Sequence, residues 1–149
     1  MNRLVPFMLA AACAALSVPA AAQFAKPEDA VKYRQSAMFL QSQHFGRIAA
    51  MASGRVPYDA PAAVANAELV ATIAKLPWTG AYAPGTDGGK ALPEIWKEPA
   101  KFKELSDKLV DETGKLEVAA KSNNLDAIKA SVAAVGETCK SCHDTFRKR

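Results

Sequence analysis

Cys139-Lys140-Ser141-Cys142-His143 gathers two thiols and an imidazole into five consecutive residues close to the C-terminus. Thiols at that spacing, with histidine immediately after, form the attachment pattern of a c-type haem. The sulfurs add to the porphyrin vinyl groups as thioethers, and the imidazole becomes the proximal ligand of the iron. On a helix advancing about 100° per residue, Cys142 falls about 60° to one side of Cys139 and His143 about 40° to the other. One side of one helix therefore presents all three groups, while Lys140 and Ser141 point elsewhere.

Two other chemistries compete for these thiols. A dithiol oxidoreductase using Cys139 and Cys142 needs its pair at a helix start in a βαβ setting, and the chain offers no convincing strand. A zinc site needs four ligands, and beyond the motif only His44 supplies an imidazole. Haem accounts for the motif better than either.

The elements that must position the motif are helical. In the last of them Ile128, Val132, Val135, Cys139, Cys142 and Phe146 recur at steps of three and four, a single helical stripe. That register puts the cysteines on the core seam and predicts a haem inside the bundle, not on its rim. A helix from about Pro99 to Ser122 carries a similar stripe of Phe102, Leu105, Leu109, Thr113, Leu116 and Ala120. The turn at Ser122-Asn123-Asn124 separates the two and supplies an N-cap.

Upstream, Pro27 with Glu28 and Asp29 opens a helix that runs to about Ala52, with Gly54 after its end. Val31, Gln35, Met38, Phe45, Ile48 and Ala52 form its expected inner side. A second helix runs from about Pro61 to Leu76, capped by Asp59 and ended by Pro77. Its expected apolar side is Val64, Leu69, Val70, Ile73 and Leu76. The glycine- and proline-rich stretch from Pro77 to Pro93 reads as a long ordered loop, with Trp78 and Tyr82 lying against an apolar surface. The expected fold is all-α, an antiparallel up-down-up-down four-helix bundle with haem near its C-terminal helix.

Residues 1–22 read as a cleaved secretory signal peptide: Arg3, then the apolar run Leu4 to Val18, then Ala20-Ala21-Ala22. Cys13 as a lipoprotein anchor is the weaker reading, because Ala10 stands where a bulky aliphatic is usual. Residues 23–149 form the expected domain, exported to the periplasm and without a membrane anchor. The 19 basic and 15 acidic residues give a formal charge of +4, which loss of Arg3 lowers by one. No basic cluster supports nucleic-acid binding.

These residues resemble the cytochrome c′ family, the class II c-type cytochromes. The resemblance spans the whole of residues 23–149. Its landmarks include Tyr33-Arg34-Gln35-Ser36-Ala37, His44-Phe45-Gly46-Arg47, Leu76-Pro77-Trp78, Gly88-Gly89, Pro93-Glu94-Ile95-Trp96 and the terminal motif followed by Asp144 and Arg147. It implies one covalently attached haem c, with Arg34 and Gln35 at the haem edge and Arg147 on the proximal side near His143. A guanidinium suits a propionate; the alternative for Arg34 is a solvated helix surface. Helical spacing would bring Arg147 to His143, and a plain helix-end cation is its alternative. Lys90 stands where some relatives carry an acid.

The resemblance also implies that Met38 covers the distal face. As packing, it leaves iron five-coordinate and high-spin; as a sixth ligand, it makes a low-spin electron carrier. Packing is the favoured reading. His44 reads as a surface residue, and Trp78, Tyr82 and Trp96 as packing near the haem rim. The expected function is one-electron exchange with redox proteins and reversible binding of NO and CO. The expected assembly is a homodimer through the first two helices, and no enzyme activity is expected.

Overall fold

A computed structural model describes residues 23–149; the expected signal peptide, Cys13 included, lies outside the described residues. Five helices follow in order: α1 Pro27–Ala52, α2 Ala60–Ile73, α3 Glu94–Lys97, α4 Pro99–Lys121 and α5 Leu125–Phe146. The four long ones form the bundle. The single turn α3 was not expected, and it leads the loop into α4.

Helix boundaries follow local chemistry. The Asp59 side chain accepts from the Ala62 amide at 3.0 Å, and Asn124 accepts from the Asp126 and Ala127 amides, each at 3.0 Å. Both satisfy donors that a helix start leaves without partners. Asn123, at φ 54°, turns the chain between α4 and α5, a conformation asparagine tolerates better than most residues. α2 stops at Ile73, short of the expected Leu76. The residue before a proline disfavours helical backbone, and Lys75 and Leu76 tighten into turns bonded to Thr72 and Ile73.

Ile48, Val70, Leu116, Ile128 and Val135 form the centre of the core. α2 packs through Ala63, Ala67, Val70, Ala71 and Ile73, so two expected core residues are corrected: Leu69 and Leu76 are exposed. Small residues on the inner side of α2 allow close helix approach. α1 is corrected likewise. It buries Ala30, Arg34, Ala37, Gln41, Ile48, Met51 and Ala52, while Val31, Met38 and Phe45 are half-buried and Gln35 is exposed. The stripes of α4 and α5 match their expected faces.

Among the described residues one feature of extended structure appears: Ala91 and Arg147 form an isolated antiparallel bridge. The Leu92 amide donates to Phe146 O at 3.0 Å and the Lys148 amide to Lys90 O at 2.8 Å. The chain beyond α5 is thereby fastened to the end of the long loop.

Candidate haem-binding site

α1 meets α5 along far less of its length than it meets α2, and a cavity of about 490 Å³ opens between them. That volume falls within the roughly 300–1,000 Å³ of cofactor pockets. α1 lines it with Arg34, Gln35, Met38, Phe39 and Ser42, and α5 with Cys142, His143 and Phe146. Trp78, Tyr82, Gly88, Lys90 and Ala91 enter from the loop, with Ile95, Phe102 and Arg147 completing the wall. The cavity is open on one side and His143 is exposed. This corrects the expectation of a site enclosed within the bundle: the sparse α1–α5 contact leaves a cleft in its side.

Of the expected site residues, Arg34, Gln35, Met38, Cys142, His143 and Arg147 share this cavity. Cys139, one turn before Cys142, packs against the core cluster instead. Both cysteines are free thiols. Burial pushes the Cys139 thiol up and drives Cys142 to about 11, with the Cys139 charge contributing less. A redox-active dithiol needs the opposite, a lowered thiol pKa at a helix start, whereas this pair sits in the last two turns of α5. Partial desolvation of the ring against the cavity wall, then the nearby Arg147 charge, holds the His143 imidazole below its ordinary pKa. A neutral ring keeps the lone pair that a metal requires.

Arg34 is 3% exposed, so the solvated alternative falls. Its Nη1 donates to Ala81 O at 2.7 Å and Thr86 Oγ1 at 3.2 Å, and its Nη2 to Gly88 O at 3.0 Å. The guanidinium carbon lies 4.7 Å from the Tyr82 ring centroid, within range of a cation–π contact. Arg34 is thus the clasp between α1 and the loop, and two of its five N–H donors remain for a cofactor. Burial pushes its pKa down, partly countered by Tyr82 and Asp87.

The loop lies flat on α1 because of Gly88 and Gly89. Gly88 has φ 143°, and a Cβ there would stand 3.3 Å from Val31 Cγ2. A Cβ on Gly89 would collide with the Gln35 amide. Aromatic edges complete the apolar wall: Phe102 meets Tyr82, Trp78 and Phe146 with ring centroids 4.8, 5.8 and 5.3 Å apart. Trp78 Nε1 donates to Ala74 O at 2.5 Å. Trp96 does not line this cavity; its indole donates to Tyr82 O at 3.1 Å and braces the loop from outside. His44 is half-buried and bonded to Asn66 at 2.9 Å, away from the cavity.

Arg147 reaches the cavity by a route that helical spacing did not anticipate. α5 ends at Phe146, and Arg147 is extended at φ −125°, ψ 131°, held by the bridge to Ala91. Phe39 was missed as a lining residue, and Lys90, whose role the departure from relatives left in doubt, lines the cavity too. Phe39 carries no periodic signal, and the position of Lys90 depends on the tail pairing.

The lining fits a haem. Apolar and aromatic side chains offer a surface for a macrocycle, while Arg34, Lys90 and Arg147 are cations and, among the described residues, no Asp or Glu joins them. A flat apolar group bearing two carboxylates complements such a wall.

Comparisons with known proteins agree. The family model described as Cytochrome C′ matches residues 29–147. The chain is 50% identical over 127 residues to cytochrome c′ of Alcaligenes xylosoxydans xylosoxydans, covering 85% of this chain and 99% of that one. Cytochrome c′ of Rubrivivax gelatinosus is 48% identical over 130 residues, covering 85% and 100%. Among solved structures, the Rubrivivax gelatinosus protein superposes with a TM-score of 0.82 at 48% identity, covering 85% and 100%. A nitric oxide complex of an Alcaligenes xylosoxidans cytochrome c prime variant superposes with a TM-score of 0.81 at 49% identity, covering 85% and 99%. The chain belongs to the cytochrome c′ family, and haem c is its cofactor.

Proposed function

We propose that the protein is a periplasmic cytochrome with a five-coordinate, high-spin haem that exchanges single electrons and binds NO and CO reversibly. In this reading Cys139 and Cys142 are the thioether anchors, His143 is the proximal ligand, and Arg34, Gln35 and Arg147 bound the cofactor. Residues 1–22 act as the export leader. The carrying observation is Met38: half-buried, it lines the cavity from α1 while His143 lines it from α5.

Haem supplies a one-electron couple and an open coordination position. The residues around it set what may use that position. Met38 and Phe39 offer no hydrogen-bond donor from their side chains, and three of the five Arg34 N–H donors are engaged by loop oxygens. Polar or anionic ligands gain no hydrogen bond from Met38 or Phe39, whereas small neutral diatomics tolerate an apolar wall. The nitric oxide complex of the Alcaligenes variant supports the same reading. With Cys142 and His143 engaged by the cofactor, no nucleophile–base pair remains in the cavity, so the protein is read as a carrier and not an enzyme.

Absorption spectra of periplasmically matured protein test this, oxidised and reduced, before and after NO. The expected result is a broad high-spin Soret band that shifts on adding NO. Split low-spin α and β bands, indifferent to NO at neutral pH, would transfer the assignment to Met38 ligation and a dedicated electron carrier.

A further inference from the structure

The ring of Tyr82 packs, but its hydroxyl has no part in that packing. The ring stacks on Trp78 with centroids 5.8 Å apart and planes 17° from parallel, and it meets Phe102 edge-on at 4.8 Å. Over its face lies the Arg34 guanidinium, 4.7 Å from the centroid. Arg34 stands one turn before Met38 on α1. Tyr82 is therefore held against the wall that carries Met38, while His143 lines the cavity from α5.

That hydroxyl is a donor without a protein acceptor. Among the described residues Tyr82 hydrogen-bonds through its carbonyl, which accepts from Trp96 Nε1 at 3.1 Å, and no bond engages the phenol oxygen. Nor is the oxygen sealed inside protein, since among the described residues Gln41 Oε1 is the side-chain atom buried without a partner. Burial pushes the phenol pKa up to about 12, with Arg34 opposing and Cys142 adding to the rise, so the group keeps its proton at physiological pH. Both of those neighbours line the same cavity, which sets the hydroxyl on the cavity side. Competing donors are engaged or exposed. Trp78 Nε1 donates to Ala74 O and Ser42 Oγ to Phe39 O, and Arg34 holds the loop with three N–H groups. Gln35, Lys90 and Arg147 are exposed. A free donor in a largely apolar enclosure acts more strongly than one in water.

We propose that the Tyr82 hydroxyl donates a hydrogen bond to the outer atom of a diatomic ligand held in the Met38-lined half of the cavity, and so sets which ligand is retained. The inference rests on the gas-binding reading of this cavity and deepens it. The favoured class is a small ligand whose outer atom gathers negative charge on binding. NO has one more electron to place than CO and gains more from the donor, so Tyr82 is a specificity-determining residue within an otherwise apolar wall.

Vibrational spectra of CO and NO bound to the ferrous, haem-loaded protein test this in the parent, in Tyr82→Phe and, as a control, in Tyr58→Phe. Tyr82→Phe keeps the ring and its stacking, and the Tyr58 hydroxyl serves Asn123 at 3.0 Å outside the cavity lining. A hydrogen bond to the outer atom draws electron density into the ligand and weakens its multiple bond. The C–O and N–O stretches are therefore expected to rise in frequency in Tyr82→Phe and to stay unchanged in Tyr58→Phe. Deuterated water is expected to shift the parent's stretches and to leave those of Tyr82→Phe in place. NO is expected to escape roughly three- to tenfold faster from Tyr82→Phe, the worth of one neutral hydrogen bond, and CO to gain less. Unchanged stretches in Tyr82→Phe would overturn the proposal. Unchanged stretches with a displaced reduction midpoint would overturn it too, assigning the hydroxyl to the carboxylates of the cofactor. Failure of the gas-binding reading itself gives a different result: a parent protein whose Soret band responds to neither CO nor NO, which removes both.

Discussion

Met38 is a residue whose role turns on a single property, whether its sulfur packs or binds. As packing it obstructs the distal approach, so Met38→Ala is expected to speed CO association several-fold in flash photolysis of the ferrous protein. Unchanged kinetics would place the obstruction elsewhere on the wall. At this scale the sequence was most legible where chemistry is contiguous. Cys139, Cys142 and His143 lie within one stretch of helix, so their relation could be read from spacing alone. Arg34 and Lys90 could not be read this way. The partners of Arg34 are carbonyls of a loop more than forty residues away, and the setting of Lys90 depends on a strand pairing with the far end of the chain.

At the scale of elements, the loop between α2 and α3 is as much a part of the site as the helices. Gly88 sits at φ 143° and its carbonyl accepts from Arg34. An L side chain there is strained by ~1–3 kcal/mol, so Gly88→Ala is expected to lower thermal stability by about that amount in melts followed by circular dichroism. Gly114, within α4, is the contrast: a Cβ there meets nothing within 4 Å, and Gly114→Ala is expected to stabilise by about 0.5–1 kcal/mol. Helix extents were legible because caps and prolines are local signals. Burial on α1 and α2 was less so. Periodicity favoured the larger apolar residues Leu69 and Leu76, whereas close packing selected alanines. The extended ending at Arg147 was hidden for the same reason as Lys90, since its partner Ala91 is remote in sequence.

At the scale of the whole molecule, α1 and α2 present large apolar side chains outwards: Tyr33 and Leu40 on α1 and Leu69 on α2 are 36%, 47% and 44% exposed. Scattered exposure of this kind is ordinary, but the family resemblance implies a homodimer through these helices. Leu40→Glu is therefore expected to move sedimentation velocity from dimer towards monomer with helical content retained. A parent protein that sediments as a monomer would remove the dimer from the reading. Among the described residues no helix is long and apolar enough to cross a membrane.

The thin seam between α1 and α5 has a consequence for how the chain acquires its interior. The neighbouring helix pairs fill their shared space with their own side chains, but this pair leaves a slot bordered by Met38, Phe39, Phe102 and Phe146. Part of the apolar packing on this side of the bundle is thus not encoded as amino acids at all. A chain without pigment is short of building material where its opening and closing helices face one another, and colour and architectural completeness arrive together.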